Sequence, residues 1–150
     1  MTLLADDFGA FFGALHDGCP PFAWQRRLLD HIVRTARWPD RIVAPTGAGK
    51  TAVIEVHVFA VALMAAGTGL RVPRRLSLVV DRRALVDSQY ERVNQVNASL
   101  HAAEDSSGGV LGDVARALRA IRTDADRERP PITVAMHQAT AGAPRDLASS

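Results

Sequence analysis

Between Ala44 and Ala52 the chain reads Pro45-Thr46-Gly47-Ala48-Gly49-Lys50-Thr51, and its residue types suit the holding of a phosphate chain. Gly47 and Gly49 permit backbone conformations in which successive N–H groups converge on an anion. Lys50 supplies an ammonium that can reach β and γ phosphates, and Thr51 a hydroxyl that can ligate the accompanying Mg²⁺. Pro45, Thr46 and Ala48 complete the loop. Of the 18 basic residues, 17 are arginine, and the single lysine is Lys50. Lysine is thus kept where a compact, flexible point charge is required. The expected ligands are ATP and Mg²⁺, with Lys50 and Thr51 as the catalytic members of the loop. The five histidines show no metal-ligand spacing with carboxylates.

In phosphate-binding loops of this kind a strand delivers the loop and a helix leaves it. Arg41 to Ala44 is a short apolar run that reads as the strand, and about Gly49 to Ala66 reads as a buried helix. Upstream, Phe8, Phe11, Phe12 and Leu15 share one helical face over Asp7 to Leu15. A second helix from about Phe22 to Ala36 turns Leu28, Leu29, Ile32 and Val33 inward and Arg26, Arg27 and Arg34 outward. Downstream, Leu76 to Val80 reads as a second buried strand and Ala84 to about Leu100 as a helix carrying Leu85, Val86, Tyr90, Val93 and Val96 on one side. Val110 to Arg122 forms an amphipathic helix and Ile132 to Ala135 a third short strand. Strands alternating with helices predict an α/β fold with an open parallel sheet and flanking helices. Three strands are few for that architecture, so the domain is expected to be incomplete. Residues 1–40 then form an N-terminal helical part, and residues 41–150 the partial nucleotide-binding domain.

The composition permits this and excludes other classes. A chain of 150 residues, 47% hydrophobic and 23% charged, can bury a core, and a net charge of +2 does not by itself indicate a nucleic-acid partner. The lone Cys19 cannot form an internal disulfide, and Met1 to Asp7 lacks the basic and apolar regions of a signal peptide. The apolar run from Ala52 to Ala66 contains Glu55 and His57 and falls short of the roughly 20 residues that cross a bilayer. A cytoplasmic protein without a membrane segment is expected.

Ala44 stands where the general phosphate-loop pattern has glycine, and the shorter Pro-Thr-Gly-x-Gly-Lys-Thr form resembles that of superfamily 2 helicases. Pro21-Phe22-Ala23-Trp24-Gln25-Arg26-Arg27 is similar to their glutamine motif. The resemblance implies that Gln25 reads the adenine edge through its paired donor and acceptor, with Phe22 or Trp24 packing nearby. Val79-Val80-Asp81-Arg82-Arg83 occupies the place of the motif that touches the DNA backbone, which implies Arg82 and Arg83 as phosphate donors on single-stranded DNA. With Gly142-Ala143-Pro144-Arg145-Asp146, these segments resemble, over residues 8–148, the helicase nuclease of type I CRISPR systems, particularly its I-U/I-G-like subgroup. The resemblance implies that the α/β part is a RecA-like P-loop NTPase domain, from a family that uses ATP and Mg²⁺ to unwind and degrade DNA after recruitment by a guide-RNA surveillance complex.

The Asp-Glu-x-His box, the second RecA-like domain and a nuclease cluster are not found in the sequence. The chain is therefore expected to stop before the catalytic half and to lack ATPase activity alone. Rival readings are an ATP-driven restriction translocase, which shares the loop and the glutamine motif, a small-molecule kinase, which would need a lid and an acceptor base, and a remnant without enzymatic activity.

Overall fold

The computed structural model describes residues 2–44, 47, 49–79, 83–105 and 108–122, and of residues 83–85 the backbone only. Among the described residues five α-helices carry the fold: α1 (Phe8–Leu15), α2 (Ala23–Thr35), α3 (Val53–Ala65), α4 (Arg83–Glu104) and α5 (Val110–Ala120). Single 3-10 turns at Ala5–Asp7 and Lys50–Ala52 lead into α1 and α3.

The helix α3 is the centre of the core. Ten consecutive residues, Ile54 to Leu63, are buried, because a helix that is apolar all round must be covered on every side. Helices α1, α2 and α5 supply that cover, and α4 packs on α5. From α1 come Phe8 and Phe11, whose ring centroids lie 5.4 and 5.2 Å from Phe59. Leu28, Leu29 and Ile32 come from α2, and Val114, Ala115 and Leu118 from α5. From α4 come Val93, Val96 and Leu100. Each large apolar side chain so covered contributes about 1.5–3 kcal/mol relative to exposure. At its C-terminal end, α3 is closed by Thr68, whose hydroxyl donates to the Leu63 carbonyl at 2.9 Å. Two expected core residues face water instead: Val33 on α2 and Tyr90 on α4 are exposed.

The expected α/β fold, with its RecA-like parallel sheet, is corrected by this architecture: among the described residues 64% are helical and there is no strand. Residues 41–44 and 76–79 both lack regular secondary structure. Rather than lying in a covered sheet, Val43 is 81% and Val79 94% exposed, with Ile42 and Leu78 also open to solvent. The physical reason is that a strand is stabilised by its ladder, not by its own residues, so a short apolar run commits to extended pairing only beside a partner. A helix satisfies its own backbone and can pack singly. The third expected strand, residues 132–135, lies outside the described residues. None of the described helices is long and apolar enough to cross a membrane.

Candidate functional site

Gln25 and the glycine loop, 24 residues apart in the chain, meet at one point. Gln25 is the third residue of α2, and its Oε1 accepts the Phe22 N–H at 2.8 Å, the backward half of a capping box. Its Nε2 donates to the Gly49 carbonyl at 3.1 Å. The side chain is 0% exposed, so in this conformation both ends of the amide are engaged by backbone. The buried amide therefore ties the start of α2 to the loop that opens α3.

Gly49 is suited to this place on two counts. Its φ of +66° and ψ of +38° lie in the left-handed region. A Cβ added there would sit 3.0 Å from Gln25 Nε2 and 3.1 Å from Phe22 Cε2. Gly47 also has a positive φ, +79°, and faces open solvent. Lys50 and Thr51, in the 3-10 turn that follows, are both exposed. The loop thus presents an ammonium and a hydroxyl to solvent at the N-terminal end of a buried helix, where unpaired N–H groups and the helix dipole favour an anion. The described loop residues suit a Mg²⁺-bound nucleoside phosphate in type and exposure, with positive φ at Gly47 and Gly49 and with Lys50 and Thr51 open to solvent, although residues 41–44 form no strand leading into the loop. Of the two aromatic candidates, Trp24 is buried in the core, whereas Phe22 is 51% exposed beside Gly49. Pro45, Thr46, Ala48 and Arg82, along with the Arg83 side chain, lie outside the described residues; the Arg83 backbone opens α4.

A second polar cluster sits one helical turn further on. Glu55, in the first turn of α3, is 0% exposed. Its Oε1 accepts from Arg92 Nε at 2.6 Å, is in ion-pair contact with Nη2 at 2.6 Å, and lies 3.2 Å from His16 Nε2. Its Oε2 is buried without a hydrogen-bond partner. Arg92 Nη2 also lies 2.7 Å from His16 Nε2, Nη1 donates to Gln95, and Phe12 stacks on the His16 ring at 3.9 Å between centroids. The His16 pKa is held below its ordinary value, chiefly by burial and then by the Arg92 charge, with Glu55 and Asp17 opposing. His57, further along α3, is also shifted down by burial; the Arg74 backbone offsets part of the shift without a well-formed hydrogen bond, and neither ring nitrogen has a partner. The sequence reading gave His16, Glu55 and Arg92 no role. The signal available was Glu55 itself, the sole carboxylate in the run Ala52 to Ala66, because a buried carboxylate requires a partner. Among the described residues, no group of three or more His, Cys, Asp or Glu is placed to hold a metal.

No family model matches the chain, and neither a curated protein nor a solved structure does.

Proposed function

We propose that this protein binds ATP with Mg²⁺ through the Gly47-to-Thr51 loop, as the nucleotide-binding part of an ATP-driven DNA helicase. The CRISPR-associated helicase nuclease is the kind its motifs resemble most. The observation that supports this reading best is the junction of Gln25, Phe22 and Gly49. Two segments singled out separately in the sequence converge there, around a glycine whose φ and surroundings both disfavour a side chain.

In this reading the backbone N–H groups of the loop hold the phosphates, Lys50 neutralises them and Thr51 ligates Mg²⁺, which supplies further charge neutralisation. Gln25 positions the loop by holding the Gly49 carbonyl. Phe22 offers an exposed face beside it on which a base can stack, and the likeness to the helicase glutamine motif makes adenine nucleotides the expected ligands. Arg82 and Arg83 would contact DNA phosphates, and a guide-RNA surveillance complex would deliver that DNA. The place of action is the cytoplasm, where the free, exposed Cys19 stays reduced.

Calorimetry with MgATP tests the reading. Lys50→Ala should weaken binding by about tenfold to a hundredfold, because hydrogen bonds to a charged group contribute about 1.5–3 kcal/mol. GTP should compete poorly. Equal MgATP affinity in the wild type and the Lys50→Ala variant would remove the loop from the reading.

A further inference from the structure

The His16–Glu55–Arg92 cluster contains two contacts that cannot both be hydrogen bonds in one protonation state. Arginine nitrogens only donate, so the 2.7 Å contact from Arg92 Nη2 requires His16 Nε2 to be the acceptor, and the ring proton then sits on Nδ1. In that tautomer the 3.2 Å approach of the same Nε2 to Glu55 Oε1 brings two acceptors together. Protonation inverts both relations. An imidazolium Nε2–H donates to Glu55, whose second oxygen has no partner, and it faces the Arg92 guanidinium with like charge. Arg92 has a way out. Its side chain is 20% exposed, and Nη1 is already bonded to Gln95 one turn along α4.

We propose that His16 is a proton-operated latch on α4: the neutral ring accepts Arg92 and lets it clamp α4 to Glu55 of α3, whereas the charged ring takes Glu55 and expels Arg92 to solvent. The charged groups acting on the ring are Arg92 from α4, Glu55 from α3 and Asp17 from the turn after α1. His16 can exchange its proton with solvent, since its side chain is 28% exposed. The lowered His16 pKa agrees with a ring held neutral at pH 7. The latch joins the helix that leaves the glycine loop to the helix that Arg83 opens, so acid would uncouple the two. It does not depend on what the loop binds.

Nitrogen NMR of the labelled full chain tests the neutral form directly: at about pH 7.5 His16 should be the Nδ1–H tautomer. An Nε2–H tautomer would overturn the proposal. Hydrogen exchange tests the release. After correction for intrinsic rates, protection of the α4 amides around Arg92 should fall by about tenfold as pH is lowered from about 7.5 through the depressed His16 pKa. His16→Gln can accept from Arg92 and stays neutral, so it should hold α4 protection constant over the same range, while Arg92→Gln should be poorly protected at both ends. Equal acid sensitivity in wild type and His16→Gln would assign the effect to another group, His57 foremost, and refute the latch. Should His16→Gln fail to fold, the wild-type tautomer still decides.

Discussion

Gly49 is the residue on which the candidate site turns, and its substitution should separate backbone strain from side-chain loss. Gly49→Ala must hold alanine at a φ of +66° and press a methyl group against Gln25 and Phe22. We expect a loss of about 1–2 kcal/mol in denaturant unfolding and weaker MgATP binding. Gly47→Ala, strained but unobstructed, should cost less than Gly49→Ala. At Arg92 the arithmetic is electrostatic. Arg92→Ala leaves Glu55 buried with only His16 to answer its charge, and removing one partner of a buried pair costs about 3 kcal/mol. Acid should act through the two depressed histidines. The folded pKa of His16 and of His57 lies below the unfolded value of 6.5, so the unfolded chain binds protons first. Stability from these rings is fully present above pH 6.5 and declines as pH falls through that value toward the folded pKa. Urea midpoints measured across this window should drop, and His16→Gln should remove part of the slope. The glycine loop was legible in the sequence because its residues are contiguous. The Glu55 cluster was not: its members are separated by 39, 37 and 76 residues, and no local pattern links them.

At the scale of elements, the described helices could be read from the sequence, and the two described runs expected as strands were misread. Apolar residues at helical spacing specified α1, α2, α4 and α5 to within a few residues, and the long apolar run specified α3 as a buried helix. The runs at 41–44 and 76–79 have strand composition, but four residues, three of them apolar in each run, carry no period that separates a covered strand from an uncovered loop. That decision belongs to neighbours far along the chain. Substitution distinguishes the two states. Val79→Ala should change stability by no more than about 0.5 kcal/mol, as an exposed side chain does. A buried strand position would lose about 1–3 kcal/mol. A large cost at Val79, measured by urea unfolding, would mean that the segment is covered in solution.

For the whole molecule, a buried central helix emerges from the glycine loop, and its neighbours hold it by two polar ties on top of apolar packing. Gln25 fixes the loop at its entrance, and Arg92 reaches Glu55 in the first turn. An anion at Lys50 and Thr51 would therefore be felt first in the loop, at the junction with α2. The apolar groove beside Leu4, Val33 and Leu70, at the far end of α3, should not respond. Titration of the labelled protein with MgADP, followed by amide NMR, examines this most directly. The account predicts that the largest, saturable shifts fall on Gly47, Gly49, Lys50 and Thr51, with smaller ones at Phe22 and Gln25, and that Lys50→Ala abolishes them at the same ligand concentration. Saturable shifts confined to other surfaces, or no shift at these amides at millimolar MgADP, would contradict it.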